Sequence, residues 1–149
     1  MDNCYSCQNT DENNLIFKTK YWKVFLHEEQ SYLGRSVVVL KRHSPNLSDL
    51  SAGEWNDLHE LIKKTESLFQ KTFGSRLLNW TCLMNDAYQN NPPNPHVHWH
   101  IRPRYAHEVI FSGKTFEDPD FGHHYNRDRK EKVSLETQQL IIKKIKENL

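Results

Sequence analysis

Glycine and proline are scarce in this chain, with 5 and 6 among 149 residues. This scarcity excludes a collagen-like or low-complexity protein. An excess of one charge is also missing, because 20 lysines and arginines stand against 19 aspartates and glutamates. Proteins that hold duplex nucleic acid by neutralising its phosphates carry a clear basic excess, so we expect no stable nucleic-acid binding.

Long apolar runs are missing as well. The longest one is Val37 to Leu40, far short of the roughly 20 residues that a membrane-spanning helix needs. The start of the chain, Met1 to Cys4, has neither the basic nor the apolar region of a signal peptide. We therefore expect a soluble, cytoplasmic protein that does not associate with a membrane.

What the chain does contain is the composition of a folded domain. Hydrophobic residues make up 36% of it, and 4 tryptophans, 6 tyrosines and 7 phenylalanines supply large side chains for a core. Burial of such side chains offsets the conformational entropy that is lost on folding. The length suits a single domain over residues 1–149, since no repeat or linker divides the chain.

Two strands and a long helix are predicted in the first half. Trp22–Leu26 is rich in aromatic and β-branched residues, and Arg35–Lys41 is a valine-rich run. Ser51 and Glu54 have the spacing of a capping box, which marks the start of a helix. Apolar residues then recur every three or four positions until Gly74 ends the pattern.

The second half adds two strands and a terminal helix. Leu77–Met84 has a strand composition, and a stiff proline-rich loop, Asn90–Pro95, follows it. His96–Tyr105 alternates polar and apolar residues, and Ser134–Leu149 has the apolar spacing of a helix. The turn-rich stretch 106–133 has no clear assignment. The sum is an α+β fold, an antiparallel sheet with helices to one side.

Three histidines project from one face of the predicted His96–Tyr105 strand. His96, His98 and His100 follow one another at steps of about 6.6 to 6.8 Å on such a strand, and Arg102 continues the same face. Two chemistries fit this arrangement. All three imidazoles can ligate one catalytic zinc ion with an open position, or one imidazole can attack phosphorus while its neighbours bind the phosphate oxygens. The residue types alone leave both open.

A pair of cysteines, Cys4 and Cys7, stands near the start of the chain. In a cytosolic protein such a Cys-x-x-Cys pair indicates half of a metal site or a redox motif more often than a structural disulfide.

The run from His96 to Tyr105, His-x-His-x-His followed by an apolar residue and Arg-Pro-Arg-Tyr, resembles the signature strand of the histidine triad (HIT) family of nucleotide hydrolases and transferases. The resemblance extends backward over residues 4–105, through the valine-rich strand, a lysine-containing turn ending at His43, and the long helix. Residues 106–149 then form a C-terminal extension with the terminal helix. The family fold is the same α+β arrangement, with the long helix after the valine-rich strand, and family habit implies a homodimer.

The resemblance assigns roles to the triad and to a metal set. The middle histidine, His98, is implied to be the nucleophile that forms a nucleotidyl-histidine intermediate, and His100 to contact the phosphate and assist transfer. Many bacterial members carry a structural zinc ion on an N-terminal cysteine pair, the histidine of the lysine-containing turn and the first triad histidine. The corresponding residues here are Cys4, Cys7, His43 and His96. Four such ligands close a tetrahedron and leave His98 free.

Substrate contacts are implied less uniformly. Asn85 stands where the family places an amide that contacts the phosphate region, and Arg102 lies on the face of His100. His27 replaces a ribose-contacting aspartate or asparagine. Arg35 replaces a histidine, and an arginine can bind phosphate in fork geometry but cannot exchange a proton near neutral pH. The loop Asn91–Pro95 replaces the usual segment that helps to hold the phosphate and leaving group.

The sequence therefore predicts an enzyme that cleaves the α-phosphate linkage of a purine nucleotide, either a dinucleoside polyphosphate or a nucleoside phosphoramidate. Catalysis would pass through a covalent adduct on His98. Two alternatives stand beside it. One is a nucleotide-binding or scaffold protein with weak turnover, and the other is a metallohydrolase that uses the triad as zinc ligands. The base, the leaving group and the physiological substrate do not follow from the sequence.

Overall fold

Five strands form the main sheet in the computed structural model, which describes residues 4–8 and 12–149. The strands are β1 (Leu15–Lys18), β2 (Trp22–Leu26), β3 (Ser36–Leu40), β4 (Leu77–Thr81) and β5 (His98–Arg104). They lie in the order β1-β2-β3-β5-β4, and each neighbouring pair is antiparallel. Met1 to Asn3 belong to the segment in which the sequence predicts no signal peptide, and they lie outside the described residues.

Three helices and a small hairpin complete the described part of the chain, together with short 3₁₀ turns. The helices are α1 (Tyr5–Gln8), α2 (Ala52–Phe73) and α3 (Leu135–Lys146), and the hairpin joins β6 (Val109–Phe111) to β7 (Lys114–Phe116). None of the described helices is long and apolar enough to cross a membrane.

The core lies between one face of the sheet and the two longer helices. Alternate residues of each inner strand point into it, because side chains on a strand alternate between its two faces. The sheet contributes Trp22, Val24, Val38, Leu40 and Ile101, and the helices contribute Leu58, Leu61, Leu68, Phe69, Ile141 and Ile145. The other residues of these strands, such as Val37, Val39, His98 and His100, are half-buried on the opposite face. That second face, the open face, is where the site is found.

The start of α2 shows the predicted capping box. The Ser51 side chain accepts a hydrogen bond from the Glu54 amide, and the Glu54 carboxylate accepts one from the Ser51 amide. Arg42 donates to the same carboxylate from Nε at 2.6 Å and from Nη2 at 2.9 Å. Because of Arg42 first, and then the hydrogen bonds from Ser51, the pKa of Glu54 falls from its ordinary value of 4.5 to about 2. This network joins the turn before His43 to the helix.

The Glu54 network is expected to make stability depend on pH. A carboxyl whose pKa is lowered in the folded state adds stability above its unfolded pKa, and the gain is lost as pH falls toward the folded pKa. Glu54→Gln should therefore lower the free energy of unfolding by about 1 kcal/mol at pH 7, with the difference from wild type shrinking between pH 4.5 and pH 2. Urea titrations across that range measure it. Exposed Glu60→Gln is the control, and a constant difference down to pH 2 would contradict the assignment.

A segment after the β6–β7 hairpin, residues 117–133, runs back over one end of the sheet, and we call it the returning segment. Its anchor is the buried ion pair between Asp118 and Arg104, with N···O distances of 2.6 and 3.0 Å. The same guanidinium donates to the carbonyl oxygens of Asp120 and His123. Removal of one partner of such a buried pair leaves an uncompensated charge, so this contact holds the segment firmly against β5.

The returning segment also fastens the loop between β2 and β3. The Asn126 amide donates to the Tyr32 hydroxyl, and the Glu131 amide donates to the Ser31 hydroxyl. The Gln30 amide in turn donates to the Glu131 carbonyl oxygen at 2.7 Å. The stretch that had no assignment from the sequence is thus the element that shapes one end of the open face.

The predicted α+β architecture is confirmed, with shorter elements than the patterns indicated. The valine-rich strand covers Ser36–Leu40, and the strand predicted to reach Met84 ends at Thr81. The terminal helix covers Leu135–Lys146. The histidine strand begins at His98, so His96 precedes it instead of belonging to it. The sequence analysis did not predict β1 or the β6–β7 hairpin.

Candidate active site

A cleft of about 660 Å³ lies over the open face of the sheet. His98 and His100 of β5 line it beside Val37 and Val39 of β3, because His100 pairs with Val37 and His98 pairs with Val39 in the sheet. Its other lining residues include Phe25, Leu26, His27, Leu83, Met84, Ala87, Asn90, Asn94 and His96. The cleft therefore combines an apolar wall with a row of imidazoles.

Hydrogen bonds determine where the protons of His98 lie. Its Nδ1 is 2.7 Å from the carbonyl oxygen of His96. A carbonyl oxygen only accepts, so Nδ1 carries the proton and the Nε2 of the neutral ring has a free lone pair. The Nε2 atoms of His98 and His100 are 3.2 Å apart. In this state the His100 Nε2–H is the donor between the two rings.

His100 is strongly held in its neutral form. Burial lowers its pKa first, and the electrostatic interactions with His98, Arg102 and Arg35 add to that effect, so the pKa falls to about 3. Its Nδ1 is buried and has no hydrogen-bond partner among the described residues. With these hydrogen bonds the pair presents one nitrogen with a lone pair beside one N–H donor, both half-buried.

Four ligand atoms converge next to these two imidazoles. Cys4, Cys7, His43 and His96 each offer one atom that a metal ion can bind, and all four atoms lie within 4.8 Å of one another. These are the same four residues that the family resemblance implies as metal ligands. The cluster brings the N-terminal turn α1 against the start of the histidine strand.

The orientation of His96 suits a metal ligand. Its Nε2 is 2.8 Å from the carbonyl oxygen of Leu40, which assigns the proton to Nε2 and leaves the Nδ1 lone pair to face the cluster. That Nδ1 is 3.3 Å from the Cys4 sulfur and 3.5 Å from the Cys7 sulfur. Burial, followed by contact with Cys4, raises the pKa of the Cys7 thiol. A bound cation would offset that effect, since metals bind the thiolate form.

The four residues expected to contact substrate are placed differently from one another. His27 lines the cleft, whereas Asn85 is exposed in a 3₁₀ turn and is not among the described residues that line it. Arg35 forms an ion pair with Glu29. Arg102 lies with its guanidinium 4.1 Å from the centre of the Tyr125 ring. All four assignments to substrate stay predictions.

The sequence analysis missed part of the site. Leu83, Met84 and Ala87 line the cleft from the loop after β4, and the position of a loop side chain depends on long-range packing that no local pattern reports. Tyr125 and Glu29, which contact the two arginines, were not recognised either. The edge-to-face contact between Tyr32 and Tyr125 forms only when the returning segment folds over the sheet, so no local sequence pattern indicates it.

The site can be compared with known proteins. The model of the HIT domain family matches residues 8–107. A fission yeast (Schizosaccharomyces pombe) protein, bis(5'-nucleosyl)-tetraphosphatase [asymmetrical], is 28% identical over 92 residues, which cover 62% of this chain and 50% of that protein. This chain therefore spans about half the length of that relative, and matches to two nitrilase–Fhit fusion proteins cover 22% of each.

Solved structures show the same fold. A hypothetical histidine triad nucleotide-binding protein from Sulfolobus tokodaii superposes with a TM-score of 0.67 at 18% identity, covering 97% of this chain and 91% of that one. A Zn-bound histidine triad family protein from Mycobacterium smegmatis superposes with a TM-score of 0.53 at 16% identity, covering 89% and 84%. At such low sequence identities, the similarity to these two structures shows a shared fold and no more.

Proposed function

The chain belongs to the HIT domain family, and from this premise we propose that it is a nucleotide hydrolase that cleaves the α-phosphate linkage of its substrate through a covalent adduct on His98. The observation that carries the proposal is the hydrogen bond from His98 Nδ1 to the His96 carbonyl oxygen at 2.7 Å. It leaves Nε2 as a nucleophile in the cleft. The same carbonyl stabilises the positive charge that develops on the ring during attack.

The reaction has two steps. The Nε2 lone pair of His98 forms a bond to the α-phosphorus, and the bond to the leaving group breaks with its electron pair. Water then attacks the phosphorus, the electron pair of the P–N bond returns to His98 Nε2, a proton of the water passes to solvent, and the nucleoside monophosphate leaves. When substrate binds, the His100 Nε2–H would turn from His98 to a phosphate oxygen, since His100 is neutral and lies 3.2 Å from the nucleophile.

The cleft suits a nucleotide. Phe25, Leu83 and Met84 offer an apolar wall for a base near the two imidazoles. The fission yeast relative is named as a bis(5'-nucleosyl)-tetraphosphatase, which supports a dinucleoside polyphosphate as substrate. A purine base, and a nucleoside phosphoramidate as the other candidate substrate, are also proposed. Asn85 is proposed to contact the phosphate region. The enzyme is proposed to act as a cytoplasmic homodimer.

Zinc is the proposed occupant of the four-residue cluster. A tetrahedral zinc ion with nitrogen and sulfur ligands places its donor atoms about 3.3 to 3.8 Å from one another, as follows from the usual bond lengths. The Nδ1 atoms of His43 and His96 are 3.3 Å apart, and His43 Nδ1 is 3.7 Å from the Cys7 sulfur. Cys4, Cys7, His43 and His96 would hold the ion with no open position. Its contribution would be structural, tying α1 to the active-site strand.

This arrangement argues against the reading in which the whole triad ligates one catalytic metal ion. His96 turns its Nδ1 toward the cysteines, while His98 uses Nδ1 to bind a carbonyl oxygen and keeps Nε2 in the cleft. The three imidazoles therefore serve two neighbouring sites.

Detection of the adduct tests the proposal. Wild-type protein is mixed with each member of a panel of diadenosine polyphosphates and adenosine phosphoramidates and quenched in acid after a short time. The mass of the intact protein is then measured by mass spectrometry. We expect an added nucleotidyl group that peptide mapping assigns to His98, with monophosphate appearing in solution. Exposed His107→Ala should form the adduct as wild type does. Monophosphate release without an adduct on any histidine would refute the covalent route, and nucleotide binding without either product would favour a binding protein.

A further inference from the structure

Three nitrogen-bearing side chains form a row across the open face, one strand step beyond the imidazole pair. The His27 amide donates to the Arg35 carbonyl oxygen at 2.9 Å, which places these two residues side by side on neighbouring chains. Ser36 pairs with Ile101 across β3 and β5, so Arg35 and Arg102 are also neighbours. We call His27, Arg35 and Arg102 the basic row.

Arg102 brings a charge that no carboxylate neutralises in the described part of the chain. Its guanidinium carbon lies over the Tyr125 ring, 4.1 Å from the ring centre. A cation over an aromatic face needs no hydrogen bond, so the N–H groups of Arg102, which have no partner among the described residues, can donate to a ligand. Asp118, a buried carboxylate of the returning segment, is already bound to Arg104. Arg102 is half-buried and therefore poised to bind an anion.

The other two members of the row supply hydrogen-bond donors. Arg35 pairs with Glu29 through one terminal nitrogen, but its Nε is buried without a partner among the described residues. His27 Nδ1 accepts a hydrogen bond from the Glu29 amide at 3.0 Å, so in the neutral ring Nε2 carries the proton. Burial and the nearby Arg35 lower the pKa of His27 to about 4, which keeps it neutral at physiological pH. The row thus offers donors and one net positive charge.

The basic row lies beyond His100 as seen from the nucleophile. On β5, Arg102 follows His100 by one strand step of about 6.6 to 6.8 Å and His98 by two such steps. Arg102, Arg35 and His27 all affect the pKa of His100, which agrees with their position around one patch. A nucleotide with its α-phosphate at His98 would bring its sugar hydroxyls to the basic row.

We propose that the basic row is a second anion site, and that the preferred substrate is a nucleoside 5'-phosphate derivative with a further phosphate on its ribose 2' or 3' oxygen. The proposal rests on the function proposed for His98 only for the position of the α-phosphate. The N–H groups of Arg102, the Nε–H of Arg35 and the Nε2–H of His27 would donate to the second phosphate. Glu29 pairs with Arg35 and forms no ion pair with Arg102.

A purely structural role explains only part of this row. The ion pair with Glu29 accounts for one nitrogen of Arg35, and the contact with Tyr125 accounts for the position of the Arg102 guanidinium. Neither contact uses the Nε of Arg35 or the N–H groups of Arg102. A buried donor without a partner costs free energy, and a ligand that binds it regains that free energy.

Calorimetric titration distinguishes a second anion site from a purely structural role of the basic row, and it does not require turnover. The probes are adenosine 5'-monophosphate, adenosine 2',5'-bisphosphate and adenosine 3',5'-bisphosphate, added to the wild-type protein at pH 7 and constant ionic strength. We expect one bisphosphate to bind at least about tenfold more tightly than the monophosphate, since hydrogen bonds to charged groups contribute that much or more. The two bisphosphates reveal which sugar oxygen faces the row.

Variants assign any preference to the row. Arg102→Gln should reduce the ratio of bisphosphate to monophosphate affinity to about one, and Arg102→Lys should keep part of it. Exposed Arg76→Gln, a matched loss of charge, should keep the wild-type ratio. Equal affinities in the wild type, or no measurable binding of any probe, would overturn the proposal whether or not Arg102→Gln folds. An intact preference without an adduct on His98 would instead overturn the proposed catalysis and leave the second anion site standing.

Discussion

Replacement of His98 by alanine is expected to lower kcat for a diadenosine polyphosphate by at least about 10³-fold, the scale found when a covalent nucleophile is removed. The physical reason is that His98 Nε2 has the only lone pair of the imidazole pair that faces the cleft, as assigned by its hydrogen bond to the His96 carbonyl oxygen. Steady-state release of monophosphate, followed by chromatography, measures the effect.

The His98→Ala variant should remain folded. His98 is half-buried and belongs to the open face, so its loss does not open a cavity in the core between the sheet and α2. Its melting temperature should stay within a few degrees of wild type, and His107→Ala should match wild type in both activity and melting temperature. Turnover by His98→Ala within tenfold of the wild-type rate would end the case for covalent catalysis at this residue.

Local signals in the sequence predict the central elements well. The Ser51–Glu54 capping box and the apolar spacing up to Gly74 give α2 with both ends correct. The alternation after the proline-rich loop gives β5 with its histidines on the open face. Both signals are local, because a capping box spans one helical turn and strand alternation needs only neighbouring residues.

The missed elements are short or depend on distant partners. The β6–β7 hairpin has three-residue strands, although its turn, Ser112-Gly113, has two positive φ angles and is a pattern that favours hairpins. Strand β1 has four residues and pairs only with β2 in the sheet. The returning segment depends on the Asp118–Arg104 ion pair, and nothing near Asp118 in the sequence indicates which arginine it binds.

The candidate site divides in the same way. The spacing of the triad correctly places His98 and His100 on one strand face, whereas His96 precedes the strand and faces the cysteines. The resemblance supplied the four-residue cluster that the fold brings together. The environment of Arg35 could not be foreseen, since its partner Glu29 is held by a loop that the returning segment fastens. A residue type at a matching position therefore identifies a side chain near the substrate, but the folded neighbours determine which of its atoms are free.

Loss of the metal is expected to have the second-largest effect. Replacement of both Cys4 and Cys7 by alanine would remove two of the four proposed ligands and free α1 from the start of β5. Structural zinc contributes on the order of 10 kcal/mol in zinc-finger peptides, but here the sheet and α2 have a core of their own, so a smaller loss is expected. We expect a melting temperature about 10 °C lower, which corresponds to about 3 kcal/mol for a chain of this length.

Metal analysis and calorimetry measure this prediction together. Wild-type protein purified without added metal should contain close to one zinc ion per chain, and treatment with a strong chelator should reproduce the melting temperature of the double variant. Cys82→Ala is the matched control, because Cys82 lies outside the four-residue cluster and should keep both the zinc and the stability. Because His96 also supplies the carbonyl oxygen that binds His98, the double variant should lose activity at temperatures where it is still folded. Unchanged zinc content in the double variant would show that the ion binds elsewhere. Wild-type protein that contains no zinc, and whose melting temperature the chelator does not change, would show that the cluster is only a buried thiol–imidazole contact.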